Sequence, residues 1–66
     1  MKNTIRVERA ILDMTPQQLA DAIGVSRNTI NSIESGKYVP STVLALKIAR
    51  YFGKPTDSIF ELDEND

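Results

Sequence analysis

Sixty-six residues, with eight Lys and Arg against nine Asp and Glu and with neither Cys nor His, make at most one small domain. A chain this short buries only about 60% of the surface its unfolded form exposes, and it lacks the residues of disulfide and ordinary zinc staples. Thiol chemistry, zinc sites and His-based acid–base catalysis are thereby excluded, and no apolar run approaches the roughly 20 residues of a membrane span or resembles a signal peptide; a soluble, cytoplasmic protein without cofactor is the expectation.

Gly24, Gly36 and Gly53, with Pro16, Pro40 and Pro55, divide the chain into segments of helical length. The first predicted helix covers about Thr4 to Asp13. Val7, Ala10, Ile11 and Met14 fall at i, i+3, i+4 and i+7, one amphipathic stripe, although Ile5 and Leu12 lie off it. The second helix has the clearest start signal: Thr15 as N-cap, Pro16 at the first helical position, and Gln18 completing a T-x-x-Q capping box. Leu19, Ala20 and Ile23 form its buried face, and Gly24 stops it.

Ser26 caps a third helix reaching to about Ser35, with Ile30 and Ile33 inward and Gly36 as the stop. The fourth follows Pro40-Ser41, turns Leu44, Ala45, Ile48 and Phe52 inward, and ends at Gly53. After Pro55, Thr56 is expected to cap a final short turn carrying Ile59 and Phe60. No segment shows sustained strand alternation, so a compact five-helix, all-α domain is predicted, with short β pairing of residues 2–4 with 61–63 left open.

The net charge of −1 argues against a polyanion-binding surface, but the charge is unevenly placed. Glu61-Leu62-Asp63-Glu64-Asn65-Asp66 holds four acids and no base, so residues 1–60 carry eight bases against five acids. The body is mildly basic, and residues 61–66 form an acidic tail. Local potential, rather than net charge, is what a polyanion meets.

The second and third helices are joined by very few residues. Ala20 is small where the helices must approach, Gly24 permits the reversal, Val25 plugs the angle, and Ile30 and Ile33 anchor the second member. That is a helix-turn-helix, whose second helix protrudes and can enter a major groove. With Ile30 and Ile33 inward, Arg27, Asn28, Thr29, Asn31 and Ser32 occupy the outer face and leading end of that helix. Arg suits guanine O6 and N7, Asn suits adenine N6 and N7, and a Thr methyl can touch a thymine methyl. Any solvated helix face is polar; the tight turn before this one favours base readout. Phosphate contacts should flank it, at Lys37 and Tyr38 beyond its C-terminus and at the start of the second helix, where Gln17 and Gln18 add side-chain donors.

From Ile5 to about Phe60 the chain resembles the phage-repressor, or XRE/Cro, helix-turn-helix family, whose fold is lambda-repressor-like. The matching stretches are Met14-Thr15, Gln17-Gln18-Leu19-Ala20, Gly24-Val25-Ser26-Arg27-Asn28-Thr29-Ile30, Ile33-Glu34-Ser35-Gly36-Lys37, Pro40-Ser41 and Ala45-Leu46-Lys47-Ile48-Ala49. The resemblance implies a five-helix DNA-binding fold, usually a homodimer on a palindromic operator. It implies base contacts at Arg27, Asn28 and Ser32, and phosphate contacts at Lys37 and the start of the second helix. It also implies that Arg9 and Glu34 form a structural ion pair tying the first helix to the third. The chain departs from the pattern at Pro16, where Gln is common, and at Asp13, which replaces a usual Gly in a position where Asp tolerates positive φ.

The expected function is sequence-specific binding of double-stranded DNA by a transcriptional regulator, most simply a repressor. One domain this small covers about 600–1,000 Å² of DNA, so two copies on adjacent half-sites are expected, with Ile59, Phe60 and Leu62 as candidate dimer contacts. The alternative is an antitoxin-like protein-interaction module of the same fold, its acidic tail wrapping a basic partner. Asp13, Asp21 and Glu34 lie on different segments without His, Cys or a glycine-rich phosphate loop, so no enzyme is expected.

Overall fold

Side-chain caps set most of the element boundaries in the computed structural model, which describes residues 1–66. Thr15 Oγ1 accepts from the Gln18 backbone N–H at 3.1 Å, while Gln18 Oε1 accepts from the Thr15 N–H at 2.9 Å. This reciprocal box satisfies two donors that a helix start leaves open. Ser26 and Ser41 act in the same way for the next two helices, accepting from the backbone N–H groups of Thr29 and Leu44. The order is β1 (Lys2–Asn3), α1 (Ile5–Ile11), α2 (Pro16–Ile23), α3 (Arg27–Glu34), α4 (Thr42–Phe52), α5 (Thr56–Ile59) and β2 (Phe60–Glu61). Thr56 is the first residue of α5 and Pro55 its N-cap, without a side-chain cap bond. The hydroxyl expected outside the helix therefore lies within it, because Pro55 already holds the extended conformation that a cap position needs.

Ile5, Leu19, Ala20, Ile30, Ile33, Ala45, Ile48, Ala49, Ile59 and Phe60 form one core, with Met14, Ile23, Val25, Leu44 and Phe52 packed around it. Every helix contributes. The two strands pair antiparallel, Lys2 with Glu61 and Asn3 with Phe60, so the terminal pairing exists one residue earlier than the open reading of 61–63 placed it. The fold is five helices closed by a two-stranded ribbon. No helix is long and apolar enough to cross a membrane.

The predicted stripe of α1 is wrong. Val7 and Ile11 are 58% and 67% exposed, whereas Ile5 is fully buried and Glu8 nearly so. The helix is rotated so that Ile5, Glu8 and Arg9 face the body. Two charged residues turn inward because each meets a partner there: Lys54 Nζ donates to Glu8 Oε2 at 2.8 Å, and Arg9 grips Glu34. A seven-residue helix completes barely two turns, too few for apolar spacing to fix its rotation. Asp13 follows at φ 55°, the left-handed turn that its side chain tolerates.

The acidic tail folds back on the N-terminus. The Met1 ammonium lies 3.2 Å from Asp63 Oδ2 and 3.1 Å from Asp66 Oδ2. Hydrogen bonds to Asp66 and Asp63 raise the pKa of the amine above its ordinary 8.0. The Asn65 backbone N–H, followed by the amine, lowers Asp63 below its ordinary 3.8.

Candidate nucleic-acid interface

The turn between α2 and α3 is built by three residues. Gly24 takes φ 90°, and its N–H and that of Val25 both donate to the Ala20 carbonyl, at 2.8 and 3.0 Å. Ala20 is fully buried, so the helices close on a methyl group. Ile30 and Ile33, at 0% and 1% exposure, then seat one side of α3 in the core. The opposite side is left to solvent.

Arg27, Asn28 and Asn31 stand on that outer side and are exposed. None of their side chains is engaged in a hydrogen bond or ion pair within the chain, so their donors and acceptors are available to a ligand. Ser32 is half-buried. Thr29 is also half-buried, and its hydroxyl lies 2.9 Å from Ser26 Oγ. Its oxygen is thus engaged in the cap, leaving the methyl as its free group. No acid lies between Ser26 and Ile33 to repel a polyanion.

The far end of α3 is fastened from two sides. Arg9 Nε and Nη2 donate to the two carboxylate oxygens of Glu34 at 2.7 and 3.0 Å, and Arg9 Nη1 donates to the Met14 carbonyl at 2.8 Å. These bonds to Glu34 raise the Arg9 pKa above the ordinary arginine value. Glu34 is 4% exposed at its side chain, so its charge is compensated within the fold. Arg6 approaches the same carboxylate at 3.5 Å from a largely solvated position. From the ribbon, Asn3 Nδ2 donates to the Ile33 carbonyl at 2.8 Å. Sequence reasoning missed Asn3, whose single amide carries no pattern, and the Glu8–Lys54 pair, whose members lie 46 positions apart.

Beyond α3, the N–H groups of Lys37 and Tyr38 both donate to the Ser32 carbonyl, at 2.9 and 3.2 Å. That turn presents the exposed Lys37 side chain and the half-exposed Tyr38 beside the end of the helix. At the start of α2, Gln17 Nε2 donates to Asp21 Oδ1 at 2.8 Å, so the side-chain donor expected to meet phosphate is directed down its own helix. Gln18 uses Oε1 in the capping box and retains its amide hydrogens.

The candidate dimer residues divide. Ile59 and Phe60 are 1% and 7% exposed and close the chain's own core, so they offer almost no area to a partner. Leu62 is 74% exposed. The assignment of Ile59 and Phe60 is therefore corrected: the ribbon and α5 seal the bottom of a small core, and both residues are needed there. Other apolar side chains are exposed elsewhere, among them Val7 and Ile11 on α1, Val39 after α3, and Val43, Leu46 and Tyr51 on α4. Lys47 and Arg50, spaced i, i+3, border Val43 and Leu46 and have no ion-pair partner.

A family model described as helix-turn-helix matches residues 5–59. The chain is 46% identical over 66 residues to an uncharacterized HTH-type transcriptional regulator of Methanocaldococcus jannaschii, covering all of both chains. It is 41% identical over 64 residues to the uncharacterized HTH-type transcriptional regulator YgzD of Bacillus subtilis, covering 97% of each. It is also 34% identical over 65 residues to the cryptic phage CTXphi transcriptional repressor RstR of Vibrio cholerae, covering 91% of this chain and 56% of that protein.

Proposed function

The chain belongs to the XRE-type helix-turn-helix family of DNA-binding transcriptional regulators, and from that premise we propose that it is a repressor reading the major groove with α3. The observation that carries this reading is the outer side of α3: Arg27, Asn28 and Asn31 exposed, free of internal partners and without a neighbouring acid. A helix about 10–12 Å across with its side chains fits the roughly 12 Å width of the major groove. Arg27 and Asn28 read bases, with Asn31, Ser32 and the Thr29 methyl beside them. Lys37 and Tyr38 meet phosphates on one flank; on the other, the backbone N–H of Gln17 and the free Gln18 side-chain amide do so, the Gln18 N–H being held by Thr15.

Two copies act together. The chain measures 31 Å along its longest axis, so one copy cannot reach two half-sites spaced about 34 Å apart. Side by side, two can, and a palindromic operator follows from the two-fold axis. Repression is favoured by economy: two small domains over a promoter occlude it, whereas activation needs a further contact. The site of action is the cytoplasm, where the DNA is.

Selection of bound oligonucleotides from a random duplex pool at physiological salt tests this. A palindromic consensus is expected. Recovery of sequences without a consensus, bound no better than the starting pool, would refute sequence-specific readout.

A further inference from the structure

Leu62 with its flanking acids and the apolar, basic face of α4 are complementary in character and in charge. Leu62 is held outward because the residue after it is tied down: Asp63 binds the Met1 amine through one carboxylate oxygen and accepts from the Asn65 N–H through the other. The exposed side chains of Glu61 and Glu64 stand beside it without ion-pair partners. The result is an apolar knob between two acids. On α4, Val43 and Leu46 line a shallow cleft of ≈ 420 Å³, with Lys47 and Arg50 at its rim. The four fall at i, i+3, i+4 and i+7 of one helix, so the apolar pair runs on into two bases. Leu62 does not fill its own chain's cleft, since it is 74% exposed.

We propose that the occupant of the α4 cleft is residues 61–64 of a second copy, Leu62 seated between Val43 and Leu46 and Glu61 and Glu64 set against Lys47 and Arg50. Exchange in both directions about a two-fold axis makes the contact isologous and closes the assembly at two copies. This inference rests on the dimer reading above and names its surfaces. The outer side of α1 has no such complement, because Arg6 beside it is already drawn to Glu34. Charge pairs at the rim also make the association weaken with salt.

Sedimentation of the full chain without DNA, over a concentration series, reads the association directly. The double variants K47E/R50E and E61K/E64K should each dissociate at about tenfold higher concentration than the parent, since each sets like charges against one another. An equimolar mixture of the two should associate again, because acidic clefts then meet basic tails and basic clefts meet acidic tails. L62A should weaken the parent without changing its helical circular dichroism. Parent-like association of both double variants overturns the tail-and-cleft contact while leaving a dimer through another face, and I11D then identifies α1 as that face. A mixture that stays monomeric also overturns the contact. A parent chain that is monomeric both free and on its selected DNA overturns the dimer reading as well.

Discussion

Arg9 on α1 and Glu34 at the end of α3 meet fork to fork, with Nε–Oε2 at 2.7 Å and Nη2–Oε1 at 3.0 Å. The guanidinium reaches the Met14 carbonyl as well, so one side chain joins α1, the loop after it and the last turn of α3. Both partners are largely buried, at 13% and 4% side-chain exposure. Removing Arg9 leaves the buried Glu34 carboxylate with only the solvated Arg6 at 3.5 Å against it. Arg9→Ala is expected to destabilise the fold by about 3–5 kcal/mol, read as a lower urea midpoint at unchanged slope. Replacement of both by apolar residues of similar volume should cost much less, which separates the penalty of a broken pair from the worth of an intact one.

The rotation of α1 has a direct consequence for mutagenesis. Ile5→Ala removes a fully buried side chain and should cost about 2–5 kcal/mol. Ile11→Ala, at 67% exposure, should stay within about 0.5 kcal/mol of the parent. Equal costs in chemical denaturation of the isolated chain would contradict the observed rotation.

Ser26 starts α3, and its hydroxyl accepts from the Thr29 N–H at 3.1 Å. Ser26→Ala should lower stability by about 1 kcal/mol, and Ser26→Asp should retain the cap. Thermal melting compares the two, and retention of the parent's stability by the alanine variant would count against the cap.

On DNA, Asn28→Ala should lose about 1–3 kcal/mol against the selected sequence and little against random duplex, relaxing preference at one base pair. Lys37→Ala should weaken both alike and reduce the slope of log affinity against log salt by about one. Fluorescence anisotropy titrations at several salt concentrations measure both. Equal loss on specific and random DNA for Asn28→Ala would remove it from the base readers.

The terminal clamp gives a pH dependence with two edges. The Met1 amine is raised above 8.0 on folding, so its contribution is complete below that pH and is lost as pH rises through the raised value. Asp63 is lowered below 3.8, so its contribution is complete above that pH and is lost as pH falls through the lowered value. Between the two the clamp is fully formed. Asp63→Asn should flatten the acid edge and reduce the alkaline one, read as amide-exchange protection of residues 2–3 and 60–61 across pH.

Local chemistry made most of the helix boundaries legible before any coordinates. Thr15 with Gln18, Ser26 and Ser41 each had to satisfy backbone donors within three residues, and Gly24 and Gly53 had to take positive φ; these demands lie within one turn of chain. Ile30 and Ile33 fixed the rotation of α3 for the same reason, so the polar side carrying Arg27, Asn28 and Asn31 could be named from spacing alone. The tertiary structure decided what depends on partners distant in sequence. It turned Glu8 and Arg9 inward toward Lys54 and Glu34, directed Asn3 to the Ile33 carbonyl, and buried Ile59 and Phe60 while leaving Leu62 outside. Spacing along one helix records which residues share a face. Which face turns inward is settled by charge pairing and packing across the whole chain, and a two-turn helix at the edge of a small core is where those forces outweigh its own pattern.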